Sequence, residues 1–289
     1  MTTDLVSVVV PVKDGTPWLR DCLEAVLREA QGSPVVVVDD GSTDGSAELA
    51  EQCGATVIRG DGAGPYHARN LGWRSTSTEL VVFTDVRCRP RPGWLAGLVR
   101  SLDDREVAVA GGDVIALAGE GAATRYVAKW QPLAPQHGLG HAFLPFLPTC
   151  NLITRRRVLT ALDGFREIRS GGDLDFSWRA QLAGLGTIAY ASGAAVEWVP
   201  RATVREVRRQ WYRYGAAKPT LWESYREHGL DVQPPMPLGR FGYHQARLFL
   251  RGLRDNPIGQ WDVELVSLLC QWEFRRGYRQ QWRSAVSPG

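Results

Sequence analysis

The sequence contains little cysteine, and its arrangement does not indicate a metal site or a redox pair. Five cysteines are scattered over 289 residues, and no two of them form a Cys-x-x-Cys motif. Scattered cysteines are typical of reduced intracellular thiols rather than of a disulfide framework. The five histidines also lack the spacing of metal ligands. The sequence therefore argues against a protein stabilised by disulfides or by zinc.

Long apolar runs are also missing from the sequence. No uninterrupted apolar stretch approaches the roughly 20 residues that a bilayer-spanning helix needs. Residues 1–4 lack the basic start of a signal peptide, and the long apolar stretch of a signal peptide does not follow them. We therefore expect a cytoplasmic protein, with peripheral contact at the inner face of the membrane as the alternative that stays open.

Charge of one sign is not in large excess over the whole chain, but it is unevenly distributed. The net charge is only +3, so the composition gives no indication of nucleic-acid binding. From Pro200 onward there are 15 Lys and Arg residues against 8 Asp and Glu, whereas the preceding residues have 19 against 23. This basic, tryptophan-rich tail has two interpretations: helices that pack with solvated arginines, or an interfacial helix on anionic lipid.

What the sequence does have is a regular alternation of strand-like and helix-like segments. Residues 5–12 and 35–38 are nearly continuous apolar runs rich in valine, typical of strands buried on both faces. Helical patterns separate them from a further strand at 80–84. This alternation predicts a doubly wound α/β domain with a mostly parallel central sheet flanked by helices. Residues 116–148, rich in Gly, Pro and Ala, are predicted to be irregular.

Carboxylates follow two of the predicted strands. Asp39 ends the strand at 35–38, and Asp85 follows the strand at 80–84. Ligands of open parallel sheets bind beyond the carboxyl ends of the strands. We therefore predict a ligand role for Asp39, whereas Ser42 and Asp44, in a Gly-Ser-Thr-Asp segment, are predicted to form a turn and a helix cap.

Successive blocks of the chain resemble, in order, those of the inverting family 2 glycosyltransferases. The blocks are VSVVVPVKDGTPWLRDCLEAVL, VVVVDDGSTDGS, GPYHARNLGW, LVVFTDVRCRPRPGWL, PTCNLITRRRVLTALDGF, GGDLDFSWRAQLAG and RRQWYRYG. The resemblance implies the GT-A fold over residues 1–218, with a nucleotide-sugar half at about 1–114 and an acceptor half at about 115–218. Residues 219–289 are then expected to form a basic helical extension.

The resemblance also implies a reaction and its partners. A sugar would move from a nucleotide diphosphate sugar to an acceptor hydroxyl or similar nucleophile, with inversion at the anomeric carbon. The expected donor is a UDP-sugar. Asp173 would be the general base, and Asp85 would hold Mn²⁺ or Mg²⁺ on the donor diphosphate. The acceptor stays open between a small molecule, a peptide and a lipid-linked compound, and no nucleic-acid partner is expected.

Further site residues follow from the same resemblance, residue by residue. The donor nucleotide is expected to contact Pro11, Val12, Asp14, Asp39, Arg69, Thr84, Asp85 and Val86. The diphosphate or the acceptor is expected to contact Arg87, Asn151, Gly172, Gln210, Arg213 and Tyr214. For Asn151, a structural role is the open alternative.

The metal motif departs from the pattern of the family. The expected Asp-x-Asp reads Asp85-Val86-Arg87, so an arginine replaces the second carboxylate. Two interpretations stay open. Arg87 contacts the diphosphate directly, because guanidinium matches phosphate geometry, or Asp85 binds the metal together with water and phosphate oxygens, as Mg²⁺ often does.

The base motif departs from the pattern as well. The expected Glu-Asp reads Gly172-Asp173, with Asp175 as a nearby rival, and an N-terminal cap is the alternative role for Asp173. Tyr214 stands where the Gln-x-x-Arg-Trp motif has tryptophan, which keeps an aromatic ring. These departures leave a second function class open: a non-catalytic nucleotide-sugar-binding or scaffolding protein with a degenerate metal site.

Overall fold

The computed structural model of the protein describes residues 5–231, 233–255 and 261–286. Residues 1–4, considered above, and residues 232, 256–260 and 287–289 lie outside the described residues. The chain divides into two compact units. Unit 1 consists of Met1–Ala116, Pro132–Ile168 and Gly172–Val199, and unit 2 of Leu117–Gln131, Arg169–Gly171 and Pro200–Gly289. The sequence-based domains at 1–218 and 219–289 stay a prediction.

The strands that the structure describes all belong to unit 1. In chain order they are β1 (Val6–Val12), β2 (Val35–Asp39), β3 (Thr56–Arg59), β4 (Leu80–Thr84), β5 (Cys88–Pro90), β6 (Val107–Gly111), β7 (Val114–Ala116), β8 (Asn151–Arg155), β9 (Thr187–Tyr190) and β10 (Val196–Trp198). The described strands form a seven-stranded sheet in the order β3-β2-β1-β4-β8-β6-β9 and a three-stranded sheet in the order β5-β10-β7.

The helices belong to both units. In chain order they are α1 (Thr16–Ala30), α2 (Ser46–Gln52), α3 (Pro65–Arg74), α4 (Trp94–Arg100), α5 (Ala122–Trp130), α6 (Pro135–Leu139), α7 (Arg156–Leu162), α8 (Gly172–Leu182), α9 (Val204–Tyr225), α10 (Leu238–Asp255) and α11 (Trp261–Val286). A 3₁₀ turn at Arg226–His228 follows α9. Unit 2 contains α5, α9, α10 and α11.

The large sheet is mostly parallel, as the sequence predicts. Only β8 runs antiparallel to its neighbours β4 and β6, while the other paired strands of the sheet run parallel. The three central strands β1, β2 and β4 are buried along their whole length, which explains their continuous apolar sequence. The edge strand β3 is partly exposed. The predicted fold class is confirmed.

Helix α3 lies directly on the sheet and fixes one side of the candidate site. A Cβ at Gly72 would lie 2.3 Å from Cγ1 of Val9, so only glycine permits this approach of α3 to β1. On the same helix, Asn70 donates from Nδ2 to the carbonyl of Phe165 at 2.7 Å and accepts from the Phe165 amide at 2.9 Å. This pair of bonds ties the segment before α8 to α3.

The segment predicted to be irregular contains two helices, α5 and α6, so this prediction was wrong for them. Helix α5 buries Ala123, Tyr126 and Val127, which are spaced at the helical i, i+3, i+4 interval. The glycines and prolines around the segment concealed this short pattern. Helix α6 begins at Pro135, whose fixed φ suits the first turn of a helix.

Unit 2 is built around the packing of α9 against α11. Helix α9 begins with a capping box in which Thr203 and Glu206 bond to each other's backbone amides. Gly215 and Gly277 permit a close backbone approach, since a Cβ at either would lie 2.0 or 2.1 Å from a carbonyl oxygen of the other helix. Among the described helices, none combines the length and apolar character needed to cross a membrane.

Candidate donor and base site

The carboxyl ends of β1, β2 and β4 lie side by side at one end of the large sheet, because the three strands are parallel neighbours. We call this end, with the residues that directly follow the three strands, the strand edge. Asp39 ends β2 opposite Val12 of β1. Its carboxylate is buried and accepts a hydrogen bond from the Ser42 amide at 3.1 Å. Asp39 thus stabilises the turn that follows β2. Its contact with a nucleotide stays a prediction.

The turn after β2 is tied to the loop after β1 by Asp14. Its amide donates to Oγ of Ser42 at 2.9 Å, and its Oδ1 accepts from the Thr43 amide at 2.9 Å. Asp14 adopts the left-handed conformation, with φ of +49°, that this connection requires. In the structure its carboxylate therefore joins two loops at the strand edge.

Asp44 has the capping role that the sequence predicts. Its oxygens accept hydrogen bonds from the amide and hydroxyl of Thr16 and from those of Ser46, at the starts of α1 and α2. Desolvation opposes ionisation, but these bonds outweigh it and lower the pKa of Asp44 to about 2.

Asp85 follows β4 and is ion-paired with Arg69 of α3. The guanidinium Nη2 donates to Oδ1 of Asp85, and Nη1 donates to the carbonyl of Pro65 at 3.2 Å. Arg69 is almost fully buried, whereas Asp85 is partly exposed. The Nε atom of Arg69 is buried without a hydrogen-bond partner among the described residues. At the strand edge, the partly exposed carboxylate of Asp85 is therefore paired with the buried guanidinium of Arg69.

Arg87 is held against an aromatic ring. Its guanidinium carbon lies 3.6 Å from the centroid of the Trp18 ring, and Nη1 donates to the carbonyl of Val199 at 3.4 Å. Stacking of this kind leaves the edge of a guanidinium able to form further hydrogen bonds. The arginine that replaces the second carboxylate is thus fixed two residues from Asp85.

A metal ion at this edge would have few protein ligands. Among the described residues, no group of three or more His, Cys, Asp or Glu side chains could hold a metal. Asp85 by itself suits Mg²⁺, which is commonly held by one or two carboxylates together with substrate phosphates and water. The residues therefore fit a cation that arrives with a phosphate-bearing ligand, and they do not form a metal cage of their own.

Asp173 lies in the first turn of α8 and is only half-buried. Its Oδ1 accepts from the Leu174 amide at 3.1 Å and from the phenol of Tyr66 at 3.4 Å. Desolvation raises the pKa of Asp173 above its ordinary value, while the backbone amides, Arg69 and the Tyr66 phenol oppose the rise. A reachable carboxylate with a raised pKa can accept a proton from a substrate.

Asp175, the nearby rival, is occupied by two arginines. It is fully buried and accepts from Nη1 of Arg166 at 3.0 Å and from Nε of Arg179 at 2.8 Å. A carboxylate held in this way contributes to the fold and is not accessible to an acceptor. The structure therefore favours Asp173 over Asp175 as the reactive carboxylate of α8.

Several residues predicted to touch ligands have buried side chains. Pro11 and Val12 lie within β1, and Oγ1 of Thr84 donates to the carbonyl of Cys150 at 2.9 Å. Asn151 is fully buried; it accepts from the indole of Trp94 at 2.8 Å and donates to two backbone carbonyls at 2.9 Å. Because the fold encloses the side chain of Asn151, the structure favours the structural role of this residue over the predicted contact with the diphosphate or the acceptor.

The predicted residues of α9 lie in unit 2. Nε2 of Gln210 donates to the hydroxyl of Tyr214 at 2.6 Å, one helical turn away. Desolvation and then the neighbouring Arg201 lower the pKa of Arg213, and Arg169 adds to this effect. Arg201 and Arg169 therefore both lie close enough to repel the charge of Arg213, an arrangement that favours binding of an anion.

Sequence reasoning missed Tyr66 as a site residue. Its position three residues before Arg69 on a helix was the available signal, because residues i and i+3 share a helix face. A second signal was Gly172 in place of the expected Glu, which leaves room for a neighbouring side chain. Only the structure identifies that neighbour as Tyr66.

Residues 7–161, more than half of the chain, match the sequence model of the family described as Glycosyl transferase family 2. The chain belongs to this family. The pre-mycofactocin glycosyltransferase of Mycobacterium tuberculosis is 30% identical over 227 residues, which are 74% of this chain and 47% of that protein. The chain thus spans about half the length of this curated relative.

Two solved structures of glycosyltransferases have a similar fold. The mannosyltransferase PcManGT from Pyrobaculum calidifontis, in complex with GDP-Man and Mn²⁺, has a TM-score of 0.61 and 18% identity over 98% of this chain and 76% of that one. The glucosyl-3-phosphoglycerate synthase from Mycobacterium tuberculosis, in complex with Mn²⁺ and UDP-Glc, has a TM-score of 0.56 and 22% identity over 76% of this chain and 78% of that one. Both support the predicted GT-A fold.

The region that matches the family 2 sequence model contains only part of the candidate site. It includes the strand edge with Asp39 and Asp85, and it ends before α8 and α9. The roles of Asp173, Gln210 and Arg213 in this family 2 chain therefore stay predictions that depend on the geometry described above.

Proposed function

We propose that this family 2 chain is an inverting glycosyltransferase that moves a sugar from a UDP-sugar to an acceptor hydroxyl or similar nucleophile. The observation that carries the proposal is the contrast within the first turn of α8. Asp175 is buried and bonded to two arginines. Asp173 is only half-buried, so an acceptor can reach it, and desolvation raises its pKa. One reachable carboxylate is what a single displacement requires.

In the proposed reaction Asp173 removes the proton from the acceptor O–H. The acceptor oxygen forms a bond to the anomeric carbon as the bond from that carbon to the diphosphate breaks, so the configuration inverts once. The proton ends on Asp173, and the nucleoside diphosphate leaves with the electron pair of the broken bond. A positioned base typically contributes about 10²–10⁴-fold to the rate of such a step.

The leaving diphosphate needs positive charge near it. We assign this role to Asp85, which would hold Mn²⁺ or Mg²⁺ together with the donor phosphates and water. The ion would stabilise charge on the leaving phosphates. Arg87 at the strand edge is a further candidate for phosphate contact, since its guanidinium group can bind phosphate oxygens.

The donor base is assigned to uracil, with guanine as the competitor. Asp39 can accept an N–H from either base, and the similar structures carry UDP-Glc in one case and GDP-Man in the other. A thermal-shift panel of UDP-, GDP- and dTDP-sugars distinguishes them. Saturation at 100 times the dissociation constant stabilises a protein by about 2.7 kcal/mol. Selective stabilisation by a GDP-sugar would replace the UDP assignment.

The decisive experiment compares donor turnover by the native chain and by Asp173→Asn. We expect turnover to fall by about 10²–10⁴-fold while the donor-induced thermal shift is kept. Asp163→Asn serves as the control, because Asp163 is an exposed carboxylate paired with Arg74 of the same unit. Donor binding by the native chain without turnover of any acceptor tested would favour the scaffolding alternative.

We further propose peripheral membrane contact through α10. One face of α10 packs inside unit 2, with Phe241 buried against Trp272 at 5.0 Å between ring centroids. The other face exposes Tyr243 and Leu250, and the guanidinium of Arg247 lies 5.9 Å from the Tyr243 ring. Exposed apolar side chains beside arginine are typical of a helix at an anionic lipid surface.

Vesicle sedimentation tests this part of the proposal. The native chain should sediment with phosphatidylglycerol vesicles and much less with phosphatidylcholine vesicles. A Tyr243→Ser and Leu250→Ser double variant should lose most of that binding. Equal sedimentation of the native chain and the double variant would leave packing as the only role of α10. A cytoplasmic location suits the five cysteines, which are all free thiols.

A further inference from the structure

Tyr66 of α3 occupies the space in front of Gly172. A Cβ built on Gly172 would lie 2.6 to 2.8 Å from three carbon atoms of the Tyr66 ring, a separation that real Cβ atoms do not show. The ring is buried, with 8% of the residue exposed. The chain therefore has glycine where the family pattern has glutamate because an aromatic ring fills that volume.

The hydroxyl of Tyr66 bonds to the candidate base. It donates to Oδ1 of Asp173 at 3.4 Å. Burial and then the charge of Asp173 raise the pKa of Tyr66 well above its ordinary value, so the phenol keeps its proton and acts as the donor. Donation to the carboxylate stabilises its ionised form.

The ring face of Tyr66 supports the donor side of the same site. The guanidinium carbon of Arg69 lies 5.3 Å from the ring centroid, and Arg69 is ion-paired with Asp85. Tyr66 and Arg69 are three residues apart on α3 and so share a helix face. A single helical turn therefore contacts both Asp85 at the strand edge and Asp173 at the start of α8.

We propose that Tyr66 is a positioning residue for the transfer, which holds the Asp173 carboxylate through its phenol and supports Arg69 on Asp85 through its ring. The inference rests on the proposed function, because it takes Asp173 as the base. It also explains the Gly172 departure: Tyr66 and Gly172 form a matched pair, since any side chain at position 172 would occupy the volume of the Tyr66 ring.

The pH dependence of kcat/KM tests the inference. Its acid limb reports the pKa of the base in the free enzyme. In Tyr66→Phe the ring stays and only the hydroxyl is lost, so we expect the acid limb to move to higher pH by about one unit. Tyr190→Phe is the matched control, because the Tyr190 phenol donates to Oδ2 of Asp113 at 2.8 Å in the same unit. It should leave the acid limb unmoved.

Gly172→Ala tests the matched pair from the other side. The new methyl should displace the Tyr66 ring and move the acid limb in the same direction. In a Tyr66→Ala background, where the ring is absent, the same change should add little. Gly121→Ala, at the start of α5, is the control because its new Cβ would make only ordinary contacts at 3.7 Å. Thermal melting identifies any variant that fails to fold.

Two outcomes separate this inference from the proposed function. Turnover kept in Asp173→Asn overturns the base assignment and, with it, the role of Tyr66. Turnover lost in Asp173→Asn with an unmoved acid limb in Tyr66→Phe overturns only the role of Tyr66. A shifted limb in Tyr66→Phe, with Tyr190→Phe unchanged, supports the inference.

Discussion

Two carboxylates of unit 1, Asp85 on the proposed donor side and Asp173 on the proposed base side, have opposite surroundings. At the strand edge, Asp85 faces the buried cation of Arg69. At the start of α8, Asp173 faces a phenol and a backbone amide, and desolvation raises its pKa. An ion pair with a buried cation fixes the position of a carboxylate, which suits binding of a cation or orientation of phosphates. A desolvated carboxylate whose hydrogen-bond partners are neutral binds a proton more readily, which suits a base.

The same contrast separates two residues within one helical turn. Asp173 and Asp175 both stand in the first turn of α8, yet Asp175 is enclosed by Arg166 and Arg179. Neighbouring positions on a helix point in different directions, so the surroundings of each side chain decide its chemistry. Motif position alone does not distinguish a structural carboxylate from a reactive one.

The largest expected effect on stability comes from breaking the Asp175 cluster. Asp175→Asn leaves two arginines without their carboxylate, and loss of one partner of a buried pair costs about 3–5 kcal/mol. Asp173→Asn should leave the free energy of unfolding unchanged or raise it at neutral pH. The reason is that a raised pKa in the folded state makes ionised Asp173 a cost, which grows as pH rises through the folded-state pKa.

Urea unfolding of both variants at neutral pH measures this difference. A similar loss of stability in Asp173→Asn and Asp175→Asn would contradict the separation of the two carboxylates into a reactive and a structural residue.

A smaller effect is expected at the strand edge. Asp85→Asn should abolish the part of the donor-induced thermal shift that depends on Mn²⁺. It should also lower stability by about 1–3 kcal/mol, because Arg69 stays buried without a carboxylate. Asp21→Asn removes an exposed ion pair with Arg89 and should cost less than about 1 kcal/mol.

Thermal shifts with UDP-sugar, with and without EDTA, provide the measurement. A full shift in EDTA for the native chain would assign the diphosphate to Arg87 and remove the metal from the proposal.

The smallest effect concerns Asp44, which lies at the same edge but serves only as a cap. Because its pKa is lowered to about 2 in the folded state, its contribution to stability is present above the unfolded pKa of about 3.9. This contribution is lost as pH falls towards the folded value. Solvent screens the exposed Asp44, so Asp44→Asn should flatten the acid side of the stability profile only slightly. Unfolding measured from about pH 5 down to about pH 2.5 tests the sign.

The amino-acid sequence by itself determined the fold class, because short runs rich in valine are typical of strands covered on both faces and helical patterns alternate with them. It also determined the bonds of Asp44 to Ser46, which act locally, whereas the bonds of Asp44 to Thr16 join positions 28 residues apart. The blocks indicated the family and the candidate carboxylates. In contrast, the periodicity of the short helix α5 was concealed by the surrounding glycines and prolines.

Only the tertiary structure decided which candidate carboxylates and amides are reachable. Asn151 is enclosed by Trp94 and two carbonyls, and Asp175 is enclosed by two arginines. The pairing of Tyr66 with Gly172 joins residues 106 positions apart, so no local pattern contains it. Burial and pKa depend on groups that folding brings together from distant parts of the chain. For this reason the chemistry of each side chain was decided by its neighbours in space.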